Sequence, residues 1–216
     1  DGANGWYTGY ISNLRITKGQ ALYTSSFTPS TSPLTTTSQG ALVGNVSLLT
    51  CQSTRLIDNS ANNFTITKAG DTKVSRFGPF SNYTQTVGSY SNYFDGDADY
   101  LQFTSTSIIN FSDQPYTVEF WLYYTSAPAN NKVIVYGGNF RIYLTTSNYV
   151  QLWYGASEQV ASTTALNLSA WNHVAVVRTS TSSNGTAIYT NGTKFTGTDD
   201  ATWPTSAGYI SYNGST

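Results

Sequence analysis

Asn172-His173-Val174-Ala175-Val176-Val177-Arg178 is apolar on both faces at its centre, and two Asn-Gly pairs follow it, in Ser183-Asn184-Gly185-Thr186 and Thr190-Asn191-Gly192-Thr193. Asn-Gly between strand-like runs is the strongest short-range hairpin signal, because both central residues of a type I′ turn need positive φ. The reading is three consecutive antiparallel strands at about 173–178, 186–190 and 193–196, the first deep in a sheet. Upstream, Val118, Phe120 and Leu122 alternate with Thr117, Glu119 and Trp121, the half-buried pattern of a sandwich strand. Further strand signals fall at 100–103, 133–136, 140–144 and 150–154, while 46–50 and 64–68 flank a turn at 58–63. No stretch of ten or more residues carries helical periodicity, so the fold class is all-β.

Composition agrees. The 216 residues contain no Met, 17 Tyr, 10 Phe and 5 Trp, and Glu occurs only at positions 119 and 158. β-Branched and aromatic residues favour strands, and helix formers are scarce. With 10 basic and 11 acidic residues the net charge is −1. Hydroxyls and amides, rather than charge, keep the surface wet. Scattered Lys and Arg offer no basic stripe to a phosphate backbone, and no apolar run could span a bilayer, so nucleic acid and membrane insertion are disfavoured. This hydroxyl-rich, charge-poor β composition points to an extracellular or virion-surface module. Cys51, alone in Leu48-Leu49-Thr50-Cys51-Gln52, reads as a small buried strand residue rather than a nucleophile, because no basic partner lies nearby in sequence.

The two ends of the chain are out of order for a sandwich. Gly9-Tyr10-Ile11-Ser12-Asn13-Leu14-Arg15-Ile16 reads as a closing strand, yet it comes first, and Tyr209-Ile210-Ser211-Tyr212-Asn213-Gly214 runs into a turn as though Asp1-Gly2-Ala3-Asn4-Gly5-Trp6 continued it. The expectation is one period of a repeat. Residues 1–24 would complete a sandwich, a neighbouring unit's by preference, through Tyr10, Ile11, Leu14 and Ile16. The Pro-, Ser- and Thr-rich stretch 25–38 would be a connector, and 39–216 the sandwich itself. A sheet lacking a strand exposes backbone donors and acceptors that a neighbour's strand can satisfy. Head-to-tail copies would then propagate as a fibre. The alternative is that the segment folds back, giving a monomeric glycan-binding module with permuted ends.

Four segments in order, Tyr93-Phe94-Asp95-Gly96-Asp97-Ala98-Asp99-Tyr100-Leu101, Tyr116-Thr117-Val118-Glu119-Phe120-Trp121-Leu122, Trp171-Asn172-His173-Val174-Ala175-Val176-Val177-Arg178 and Ala187-Ile188-Tyr189-Thr190-Asn191-Gly192, resemble the ordered motifs of laminin-G-like domains. The resemblance covers nearly the whole chain in permuted order, and its opening segment is similar to tandem versions in marine phage tail and large bacterial surface proteins. It implies a two-sheet antiparallel jelly-roll sandwich of the concanavalin A-like kind, used as a binding or structural module.

Retaining glycosidases on this fold need two carboxylates about 5–5.5 Å apart. Glu119 has no carboxylate two or four residues on, and Glu158 is remote in sequence, so the chain reads as a non-enzyme. His173, the only histidine, reads as a core or rim residue rather than a triad member. Asp95, Asp97 and Asp99 form a carboxylate cluster; in an extended segment all three would share a face, suited either to solvent or to a hard cation such as calcium. The resemblance adds that such domains often carry a rim calcium. For a sugar, which stacks its apolar face on aromatic rings, the first residues to check are Trp153 and Tyr154 at a strand end and Trp203 beside Pro204.

Overall fold

The structure is a computed structural model, and it describes residues 5–80, 88–103, 108, 110–182, 184–197 and 208–210. The first strands are β1 (Thr8–Lys18), β2 (Val46–Thr50), β3 (Ile66–Ala69), β4 (Lys73–Ser75) and β5 (Ser91–Asp95). Then come β6 (Tyr100–Phe103), β7 (Tyr116–Tyr123), β8 (Lys132–Gly137), β9 (Phe140–Leu144) and β10 (Val150–Tyr154). The last are β11 (Ser157–Ala161), β12 (Asn172–Arg178), β13 (Thr186–Thr190), β14 (Thr193–Gly197) and β15 (Gly208–Ile210). They form two antiparallel sheets, one ordered β14-β13-β12-β7-β1-β5-β4 with β2 also on β1, the other β11-β10-β9-β8-β15-β6-β3.

The β12–β13–β14 meander lies where the sequence reading puts it. Asn191 and Gly192, at φ 50° and 83°, make the two-residue turn between Thr190 and Thr193. Asn184-Gly185 instead ends a longer loop, with the Thr179 N–H bonded to the Gly185 carbonyl. Val118, Phe120 and Leu122 of β7 meet Val174 and Val176 of β12, Ile11, Leu14 and Ile16 of β1, and Ile142, Leu144 and Leu152 of the opposite sheet in one core. Cys51 belongs to that core and is buried, which pushes its thiol up to about 12. The turn at 58–63 is held by Asp58, whose carboxylate accepts N–H bonds from Leu49, Ser60 and Phe64.

β1 is the hub of its sheet. One flank pairs with β7 along most of its length, and the other pairs first with β5 through Thr8–Ile11 and then with β2 through Leu14–Thr17. The change of partner occurs at a bulge on Asn13, at φ 52°, where the register against β7 shifts between Ser12 and Arg15. A bulge adds one residue to one strand and bends it. The Asn13 side chain secures the bend by donating to the Gly88 carbonyl and accepting from the Leu34 N–H and Gln52 Nε2. Tyr10, Ile11, Leu14 and Ile16, expected to complete a neighbouring unit, are thus seated in the sandwich of their own chain.

Residues 25–38, expected as a connector, lie across the outer face of the β1-containing sheet as part of a strap from 20 to 41. Its Leu34 is buried against Val46 and Leu49, Leu22 N–H bonds to Thr117 Oγ1, and Phe27 N–H bonds to the Gly192 carbonyl. The alternation of β7 is as expected, but the middle of its outward side does not meet solvent: the strap covers Glu119, which is 0% exposed. Among the described residues no helix is long and apolar enough to cross a membrane.

Candidate functional site: an aromatic rung beside a cleft

On the outer face of the β1-containing sheet, above the strap, register brings rings together that the sequence keeps far apart. Tyr10 of β1 pairs with Tyr93 of β5 on one side and with Tyr123 of β7 on the other. Because all three occupy one cross-strand row and point to the same face, their rings are in contact, tilted for Tyr10–Tyr93 with centroids 4.9 Å apart and T-shaped for Tyr10–Tyr123 at 6.0 Å. Trp171, just before β12, extends the row at 5.6 Å from Tyr123. Phe77, 40% exposed, stands 5.0 Å from Tyr10 and 4.6 Å from Tyr123.

The next row toward the strand ends holds Asp95 and Thr8, with Thr125 just past β7. Between the two rows opens a cleft of about 210 Å³ lined by Thr8, Gly9, Tyr10, Tyr93, Tyr123, Tyr124 and Thr125. Gly9 is required there. Its φ is +147°, and a Cβ would lie 2.3 Å from the Tyr123 carbonyl oxygen and 2.4 Å from the Tyr7 hydroxyl. Tyr124 is 2% exposed, and its hydroxyl has no hydrogen-bond partner among the described residues.

Further along the same face, under the strap, lies a sealed charge cluster. Arg15 donates from Nε and Nη2 to Glu119 Oε1, at 2.9 and 2.6 Å; Tyr23 donates its hydroxyl to Oε2 at 2.8 Å, and His173 Nε2 is 3.3 Å from that oxygen. Burial alone pushes the Glu119 carboxyl up, but the His173 hydrogen bond, the Arg15 charge and the Tyr23 hydroxyl together outweigh it and hold the group below its ordinary value. Arg15 Nη1 also bonds the carbonyls of Thr35 and Ser38, so the cluster fastens the strap to the sheet. Glu158 sits on β11 of the other sheet, and the close carboxylate pair of a retaining glycosidase is not formed by these two residues. His173 is a buried partner of Glu119, as a core histidine would be; its carboxylate comes from across the sheet, not from the local run.

The acidic segment is a turn rather than an extended strand. Gly96 and Ala98 take φ 90° and 57°, so alternation fails and the three aspartates do not share a face. Carboxylate oxygens of Asp95 and Asp99 come within 4.8 Å of each other and of Asp71, which replaces Asp97 in the cluster. Asp99 is buried, and its two oxygens accept the N–H groups of Asp71 and Asp95. Lys73 Nζ lies 2.5 Å from Asp71 Oδ2. The donors are hard oxygens suited to calcium, but Lys73 already neutralises one of them.

Trp153 is on the outer side of the other sheet, whereas Tyr154, the next residue, lies directly opposite the core residue Phe140 and so projects from the other face of the strand end. Trp153 is partly buried against Tyr143 and donates its indole N–H to Gln151 Oε1. Trp203 lies outside the described residues. The rung at Tyr10, Tyr93, Tyr123 and Trp171 was missed because no single segment carries it. Its local signal is a large aromatic on the outward side of each alternating strand.

The profile of the concanavalin A-like lectin/glucanases superfamily, in its laminin-G form, matches residues 95–215, more than half of the chain. The chain belongs to that superfamily. No curated protein matches it. Among solved structures the laminin-G-like sandwich is similar to the binding domain of botulinum neurotoxin DC in complex with SialylT, at TM-score 0.54 and 15% identity over 76% of this chain and 43% of that one. It is also similar to domain 4 of AbnA, a GH43 extracellular arabinanase from Geobacillus stearothermophilus, in complex with arabinotriose, at TM-score 0.50 and 16% identity over 71% of this chain and 76% of that one. At these identities the likeness concerns the fold.

Proposed function

We propose that this chain is a saccharide-binding module of an extracellular or virion-surface protein, with the Tyr93–Tyr10–Tyr123–Trp171 rung and its adjoining cleft as the binding site. The observation that carries this reading is the rung itself, a row of partly exposed rings held in register by three hydrogen-bonded strands. Sugars present C–H faces that stack on such rings, and a rigid sheet holds the rings in place without further ordering cost. The superfamily, and the saccharides named with both structural neighbours, support the same reading.

The in-chain seating of β1 supports a self-contained module over a fibre of head-to-tail copies exchanging Tyr10, Ile11, Leu14 and Ile16. Trp153 and Tyr154 are the weaker sugar site, because the Trp153 indole N–H is already taken. Calcium, where bound, would be held by Asp71, Asp95 and Asp99, bracing the β5–β6 turn next to the cleft.

Oligosaccharide titration followed by NMR tests the reading. Shifts should concentrate on Tyr10, Tyr93, Tyr123 and Trp171, and Tyr10→Ala should abolish them with an unchanged circular dichroism spectrum. Shifts confined to Trp153 and Tyr154, or none with any saccharide, would sink it.

A further inference from the structure

Resting on the saccharide reading, we infer that the cleft selects uncharged saccharides and rejects acidic ones, and that Asp95 is the residue that discriminates. None of the seven residues lining the cleft is charged. The row bounding it is different. Asp95 follows Tyr93 by two positions, so both side chains project from the same face of β5, about 7 Å apart along the strand. It lies directly opposite Thr8, a lining residue whose hydroxyl bonds to the Asp95 carbonyl.

The charge around this lip is predominantly negative, with four aspartates against Lys73 and Lys68, both of which act on Asp71. Asp95 is exposed and shares a 4.8 Å cluster with Asp71 and Asp99, and Asp97 follows in the turn. The one cation in register with the rung is Lys73, opposite Tyr93, and its ammonium is bound to Asp71. Arg76 is exposed, but it follows Ser75, which lies opposite Ser91, so its backbone is on the far side of Tyr93 from Asp95. A uronate or sialate carboxylate in the cleft would therefore meet the Asp95 carboxylate within several ångströms, while Lys73, the cation in register with the rung, is held by Asp71. Repulsion at this range lowers affinity roughly tenfold between the dielectric limits of water and protein surface.

The experiment compares the intact chain binding neutral arabinotriose, cellotriose and lactose with sialyllactose and trigalacturonate, in EDTA so that no cation masks the carboxylates. Neutral ligands should bind roughly tenfold tighter at low salt, and the gap should narrow as salt screens the lip. In Asp95→Asn the ratio of acidic to neutral affinity should rise by about the same factor. The salt series on the unaltered chain gives the answer even where the variant folds poorly. Equal or tighter binding of the acidic ligands, lost in Tyr10→Ala, would overturn the selectivity and leave the saccharide site standing. Binding of neither class would remove the saccharide reading and this inference with it.

Discussion

Arg15 and Glu119, 104 positions apart in the chain, form a two-bond ion pair with both side chains at 0% exposure. An ion pair this deep gains little over an apolar pair of the same shape, because each charge has lost its hydration, but breaking it leaves a buried charge uncompensated. Glu119→Gln and Arg15→Met should each lower unfolding free energy by about 3–5 kcal/mol, measured in urea. The double variant should cost less than the sum of the two. Additive losses would show that the pair is not coupled.

The pH dependence follows from the same carboxyl. Its folded pKa is held below the ordinary 4.5, so the group contributes stability that is fully present above the unfolded value and is lost as pH falls through the folded one. Stability measured from pH 6 downward should therefore begin to fall below about pH 4.5. The slope below that point should be shallower in Glu119→Gln. An identical slope in both proteins would assign the acid sensitivity to other groups.

Gly9 combines a φ that side chains rarely adopt with a Cβ position already occupied by the Tyr123 carbonyl and the Tyr7 ring. Gly9→Ala should cost about 2–3 kcal/mol, since strained backbone conformations alone run to roughly 1–3 kcal/mol. The loss should appear as a lower thermal midpoint together with weakened saccharide binding, because the clash falls on the cleft floor. A variant as stable as the parent would mean that β1 can slide away from β7.

Calcium should raise the melting temperature. The gain should disappear in Asp71→Asn, grow in Lys73→Ala, where the competing ammonium is gone, and persist in Asp97→Asn, since Asp97 stands outside the cluster. Asp99→Ala should lose about 1–3 kcal/mol even in EDTA, because two backbone N–H groups lose their acceptor. A melting curve identical with calcium and with chelator in the parent and in Lys73→Ala would rule out a cation at this turn.

What was legible in the sequence was what local pattern controls. The meander of β12, β13 and β14 follows from Asn191-Gly192 and from the apolar run before it, and β7 follows from its alternation. What was not legible depends on register between distant strands. Tyr10, Tyr93 and Tyr123 become one site only because β1 lies between β5 and β7, and Glu119 becomes buried only because residues 20–41 return over it. The acidic segment misled for a different reason. Ala98 in a left-handed conformation turns the chain where alternation assumes an extended strand, so Asp71, 28 positions before Asp99, takes the place assigned to Asp97.

The central place of β1 has a kinetic consequence. Its pairing with β7 joins positions near 10 to positions near 120, so the flank of β1 that faces β7 stays open until β7 has been made, even after β2 and β5 have closed the other flank. Ring closure over such a distance is slow, and an open strand flank is prone to pair with other copies in the meantime. Refolding yield should therefore fall steeply with protein concentration, and the hub that gives the finished sheet its order is also where assembly is most exposed to error.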